Sequence, residues 1–428
     1  MPLAIRKARL IDPAQGLDRI DDLFISSGRI AGIGTPPGGV PIEHEIDARG
    51  LVLCPGLVDL AARLREPGGE HKGTIETETR AAARGGITTL CCPPDTTPVI
   101  DTPAVAELVH QRAERAGYAR VLCLGALTRG LAGEHLAEMA ALKAAGCIGV
   151  SNALLPIKSS AVLRRALEYA ADCGLTAYLH PEDPWLAQGV VHEGATSTRL
   201  GLPAVPESAE TVALSRDLLL VEQTGVRAHF CRLSSARGVA MIAAAQRAGL
   251  PVSADVSIQH LHLADLDVGF YDSYCHLRPP LRSRADLAAL RQGLADGVIT
   301  AICSDHQPHD RDAKTAPFED TEPGASALEV LLPLSLHLAD AGVLDLHSAI
   351  ACLTVRPAEV LGIESGSLRV GGRADLCLFD PAAEWVLSEG EIWSHGKNTP
   401  FLDWHLKGRV THTLLGGRIV YAASESQP

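Results

Sequence analysis

From about residue 55 to residue 360 the chain alternates short apolar runs with longer helical patterns, and this alternation restricts the fold more than any other feature. Residues 88–92 follow a helix-like stretch at 76–83, 121–125 follow 104–116, and 177–180 follow 161–171. The runs at 226–230, 252–256 and 299–304 continue the series. Strands regularly separated by helices pair in parallel, because each connection must cross back over the sheet. Roughly 300 residues of such units fit a TIM-like (β/α)8 barrel, whose chemistry gathers at the C-terminal ends of its strands.

The two ends read differently. Residues 3–10, 22–33 (broken at Ser27-Gly28) and 43–48 are short β segments, and 366–380 and 410–421 are again β-like, punctuated by Gly-Gly turns. We therefore expect a small β-sandwich domain composed of 1–54 and 362–428, with the barrel spanning 55–361. Aromatic residues make up only 4% of the chain, so the core is aliphatic.

A net charge of -13 repels phosphate backbones and anionic lipid, which argues against nucleic acid or a membrane surface as partner. The most apolar stretch, 327–346, carries Glu329, His337, Asp340 and Asp345 and reads as a core helix. Arg6, Lys7 and Arg9 interrupt the N-terminal apolar residues, so no secretory signal is expected and a cytoplasmic location is. The 11 cysteines stand singly except for Cys91-Cys92, and none form a CxxC pair, so reduced buried thiols are expected.

The most specific stretch is 55–68, PGLVDLAARLREPG, an apolar strand running into a charged turn. It resembles the signature of the amidohydrolase superfamily, and its LREPG ending resembles dihydroorotase. The resemblance continues through DTTP (95–98), GC (146–147), HPED (180–183), RPPLR (278–282), SDHQPH (304–309), PG (323–324) and NTP (398–400), in the family's order.

Active members of this family bind zinc through an HxH pair on the first barrel strand, since residues two apart share a face. The resemblance places Ala61 and Arg63 at those positions. Alanine has no donor atom, and a protonated guanidinium offers a cation no lone pair. The bridging anionic ligand falls at Asn152 and Ala153, neither of which is a carboxylate. Of the two histidines that follow, one matches His180 and the other Arg232. The last ligand, which doubles as general base, matches Asp305. Only His180 and Asp305 survive, whereas a catalytic zinc takes about three protein ligands.

Arg63 and Arg232 put two positive charges about where two cations would sit, and we expect one of them to pair with Asp305. His229 is expected to face away from Arg232, in core packing or a backbone hydrogen bond. Four positions match the family's substrate pocket as vestiges: Arg65 at its carboxylate-binding arginine, Asp95 and Arg278 where asparagine is usual, and His260. An anion at position 95 is expected to repel an acidic substrate. The charged stretch 310–322 reads as a surface loop at the barrel mouth.

The resemblance thus implies a barrel whose catalytic constellation is dismantled, with no cofactor. It resembles the non-catalytic bacterial dihydroorotase-like subunits that associate with aspartate carbamoyltransferase, which implies homo- and hetero-oligomeric assembly. Two other readings compete. One is a working cyclic amidohydrolase with a mononuclear site rebuilt from His180, Asp305 and a third ligand such as His306, His309 or His229. The other is a small-molecule sensor that attracts a carboxylate with Arg63, Arg65 and Arg232.

Overall fold

The computed structural model describes residues 2–36, 38 and 42–423. Its N-terminal strands are β1 (Leu3–Asp12), β2 (Leu17–Ser26), β3 (Arg29–Ile33), β4 (His44–Asp47) and β5 (Val52–Pro55). The next strands are β6 (Leu57–Asp59), β7 (Ile87–Cys92), β8 (Arg120–Ala126), β9 (Gly149–Ser151) and β10 (Thr176–Leu179). A small ladder of β11 (Val191–His192) and β12 (Ala204–Val205) precedes β13 (Ala228–Phe230), β14 (Val252–Ser257) and β15 (Ala301–Cys303). The chain ends with β16 (Leu376–Val386), β17 (His405–Leu415) and β18 (Arg418–Ala422).

Strands β6 to β10 and β13 to β15 form one parallel sheet in sequence order, the eight-stranded barrel. Closure between first and last strands lies just beyond their ends. Arg63 N–H donates to His306 O at 2.9 Å and His306 N–H to Ala61 O at 3.0 Å. The intervening helices start and stop on local signals. Thr74 caps the helix Ile75–Arg84 through a reciprocal bond with Thr77, and the helix Pro103–Ala116 opens on proline and ends at left-handed Gly117.

One core cluster combines small side chains, among them Ala61, Cys91, Cys231, Ala301 and Cys303, with Leu60, Leu124 and the aromatic Tyr178. Gly149 makes room for that ring: a Cβ there would lie 2.4 Å from Tyr178 Cε2. All 11 thiols are free, and every one except Cys173 is buried.

The terminal strands build a second eight-stranded sheet, ordered β18-β17-β16-β5-β1-β2-β3 with β4 also on β1. It wraps its own apolar core, which includes Ile5, Leu10, Leu23, Leu53, Leu376 and Leu414. The fold is therefore a TIM-like barrel with a β-sandwich made from both ends of the chain.

Three local expectations change. The 366–375 stretch makes turns rather than a strand: Gly366 and Gly371 take φ of 77° and 85°, and the Asp12 carboxylate accepts Leu368 N–H and the Ser367 hydroxyl. The 327–346 stretch is not one helix but a 3-10 turn, the helix Leu331–Asp340, and a break at Gly342 (φ 72°) before Asp345 caps the next. The 310–322 loop is anchored: buried Lys314 donates to three carbonyls, and Phe318 stacks on His276 with centroids 5.0 Å apart. No helix among the described residues is long and apolar enough to cross a membrane.

Candidate functional site

The residues singled out in the sequence converge at the C-terminal ends of the barrel strands. Ala61 and Arg63 follow β6, Asp95 follows β7, Asn152 and Ala153 follow β9, and His180 follows β10. Arg232, His260 and Asp305 follow β13, β14 and β15. Arg65, Ala153, Arg232 and Asp305 all adopt positive φ, 64°, 51°, 58° and 43°, a backbone state that costs a non-glycine residue of order 1 kcal/mol.

At the centre lies Asp305, 7% exposed. Both arginines reach it: Arg63 Nη1 and Arg232 Nε each stand 3.5 Å from Oδ1. Both arginines are buried, so neither is a solvated surface side chain. Gln307 donates to Oδ2 at 3.1 Å. Burial, only partly countered by Arg232 and Arg63, still pushes the Asp305 carboxyl above its ordinary range.

Asp95 is paired rather than free: its carboxylate accepts Arg63 Nε at 2.7 Å, which offsets part of the charge it presents to an acidic molecule. Burial would raise this carboxyl, but Arg63 outweighs it and holds it below the ordinary carboxylate range. Arg65 donates to Pro308 O at 2.9 Å, and burial, then the neighbouring Arg63, pulls its guanidinium down to about 10.

The other candidates are engaged in scaffold bonds. Asn152 donates to Leu131 O and Leu155 O and accepts the Thr128 hydroxyl. Ala153 and Ala61 are buried. His260 contacts Ser257 Oγ at 2.7 Å and Pro280 O at 3.3 Å, and burial pushes it down to about 4. His180 lies 3.4 Å from Cys231 O and 3.6 Å from Glu182, and Arg278 pairs with Glu182. Burial would raise Glu182, but the neighbouring His180 and the hydrogen-bonded Arg278 pull it down to about 2.

His229 is buried as expected, but its partners are side chains, not backbone: Ser253 Oγ at 2.7 Å and Asp255 Oδ2 at 3.1 Å. Asp255 also accepts Arg232 N–H, so His229 is tied to the arginine through a shared carboxylate. His306 and His309 turn away from Asp305: His306 Nε2 donates to Glu78 at 2.8 Å, and His309 Nε2 meets Pro323 O at 3.0 Å. Three acids in this architecture were given no role in the sequence, namely Glu78, Glu182 and Asp255. Glu182 lies inside the HPED stretch, and Glu78 left a trace as an acid on the same helix face as Ala81 and Ala82.

The zinc that the resemblance implies does not fit these residues. Arg63 and Arg232 stand where that resemblance puts two of its ligands, and both approach the Asp305 carboxylate themselves. His229, Cys231 and Asp255 do bring ligand atoms within 4.8 Å of one another. However, burial pushes the Cys231 thiol strongly up, toward its protonated form, and the His229 and Asp255 atoms are already bonded.

A barrel of this kind with a sandwich from both termini carries its charged groups at the strand ends, where barrel chemistry gathers. Residues 50–237 match the Dihydro-orotase-like family and 187–421 the Amidohydrolase family. A "Dihydroorotase-like protein" of Pseudomonas aeruginosa is 52% identical over 423 residues, 98% of this chain and 100% of the relative. A "Dihydroorotase" of Geobacter is 41% identical over 427 residues, 99% of this chain and 100% of its own. L-hydantoinase (dihydropyrimidinase) from Arthrobacter aurescens shares the fold with a TM-score of 0.88 at 24% identity, covering 98% of this chain and 96% of that one. The chain belongs to the dihydroorotase-like family of the amidohydrolase superfamily.

Proposed function

We propose that this chain is a non-catalytic member of its family and serves as a structural subunit for aspartate carbamoyltransferase in de novo pyrimidine synthesis. The observation that carries the first half is the pair of buried arginines, each 3.5 Å from Asp305. With guanidinium groups in place of metal, no water is activated beside that carboxylate, because lowering the pKa of that water is the metal's contribution. The partner follows from the resemblance to non-catalytic subunits, and the intact scaffold is consistent with a role that needs shape rather than turnover. Dihydroorotate hydrolysis by the purified, zinc-supplemented chain tests the first half, with metal content measured on the same sample. No turnover and substoichiometric metal are expected. Co-purification with aspartate carbamoyltransferase tests the second half, and failure of the two to associate overturns it.

The runner-up is an active cyclic amidohydrolase with a rebuilt mononuclear site, favoured by the grouping of His229, Cys231 and Asp255. Zinc-dependent turnover abolished by Cys231→Ala would establish it.

A further inference from the structure

The centre around Asp305 holds more hydrogen-bond donors than the protein satisfies. Arg63 Nη2 and Arg232 Nε are buried with no hydrogen-bond partner, and His180 Nε2 beside them is also unpaired. Arg63 and Arg232 are 4% and 5% exposed, so bulk water does not meet this demand at an open surface. A buried guanidinium left without acceptors loses the hydration it had in water and gains nothing in return. Such orphans are rare in folded proteins, and each one calls for a partner.

Three features indicate what the partner is. The unpaired atoms on the two arginines are donors, so the partner is an acceptor rather than a cation. The two guanidinium groups converge on one carboxylate oxygen at 3.5 Å, longer than a good charge-assisted bond, so Asp305 saturates neither. A third guanidinium, Arg65, lines the same cavity as Arg63, so three arginines gather near the two carboxylates Asp95 and Asp305. A cavity of about 200 Å³ lined by Arg63, Arg65, Lys72, Asp95, Thr96 and Thr97 opens on the Arg63 side of this cluster and is large enough for a small ion.

We propose that the position where relatives would hold metal cations is, in this chain, a binding site for a small inorganic oxyanion of the phosphate, sulfate or bicarbonate class, received by the free donors of Arg63 and Arg232. The two free donors, one on each guanidinium, can each meet an oxygen of such an ion, and burial strengthens each contact. Asp95 and Asp305 oppose the ion and keep its affinity moderate. Asp95 is the stronger opponent, because it already holds Arg63 Nε at 2.7 Å.

This inference shares with the proposed function only the loss of metal ligands, and its readout is binding rather than turnover. The full-length chain, dialysed into chloride buffer, is titrated calorimetrically with phosphate, sulfate or bicarbonate at constant ionic strength, with thermal unfolding followed in parallel. We expect saturable one-site binding of at least one of the three, a rise in melting temperature, and no response to matched chloride. Arg232→Lys, which keeps the charge but not the fork, should weaken binding at least tenfold. Asp95→Asn should tighten it several-fold, a gain that mere disruption of the fold does not produce. The three ions separate the sources, since a preference for bicarbonate or for phosphate identifies the physiological occupant. Absence of saturable binding for all three, or wild-type affinity in both variants, overturns the proposal. Turnover with bound zinc would instead overturn the proposed function.

Discussion

Adjacent residues of one strand end behave in opposite ways. Ser304 and His306 belong to a saturated seam. Asp59 accepts both Ser304 N–H, at 2.8 Å, and the Ser304 hydroxyl. Glu78 accepts His306 Nε2 at 2.8 Å, the Ser394 hydroxyl at 2.6 Å and His395 N–H at 3.0 Å, while His306 Nδ1 accepts Ala327 N–H. Asp305, between them, belongs to the mouth, where donors outnumber acceptors. The seam joins first strand, last strand, first helix and C-terminal segment, so its loss would open the barrel. The mouth does not join elements in the same sense. Saturated scaffold bonding and an unsaturated charged centre thus stand side by side within three consecutive residues.

The largest effect we expect comes from breaking the seam. Glu78→Ala would strand His306, Ser394 and His395 N–H in the interior and should cost about 3–5 kcal/mol, read by urea denaturation. If the loss were below about 1 kcal/mol, the seam would not be what holds the barrel shut.

pH should act on buried scaffold histidines next. Burial pushes His260 to about 4, below the ordinary value of about 6.5. The unfolded chain therefore binds the proton first, and stability present above pH 6.5 is lost as pH falls toward 4. At pH 5 the loss is about 2 kcal/mol for this group. Asp59 works the other way, since burial raises it to about 6 against its bonds from Ser304 and Ala61. The difference in pH slope between wild type and His260→Gln isolates the histidine.

A smaller change is expected at the mouth. Asp305→Asn should cost about 1–2 kcal/mol, less than Glu78→Ala, because burial already opposes the charge of this carboxylate. Equal losses from the two variants, measured side by side, would erase the contrast between seam and mouth. The smallest effect is none at all: Ala61→His with Arg63→His should give no dihydroorotate hydrolysis in zinc, since the bridging anion and the ligand at Arg232 are still missing.

Much of the fold was legible because strands and helices signal locally. Repeated apolar runs marked β7, β8, β10, β13, β14 and β15, and Gly416-Gly417 marked the turn between β17 and β18. The two-residue strands β11 and β12 carry too little pattern to be seen, and 366–375 misled because its apolar Leu368 is buried from a turn. At the site, the sequence identified which residue types stand where ligands are expected. It could not show that Asp95 neutralises Arg63, or that Glu182 sits against Arg278, because those partners are 32 and 96 residues apart.

The sequence by itself determined the alternating architecture, the family resemblance and, through that resemblance, which residues stand at the expected ligand positions, since each is a matter of residue identity or short-range period. Only the tertiary structure decided that both arginines turn inward onto Asp305, that His306 is committed to Glu78, and that buried donors remain unpaired. Those outcomes depend on which distant groups share a small volume and on how little water reaches them, and no local pattern encodes either.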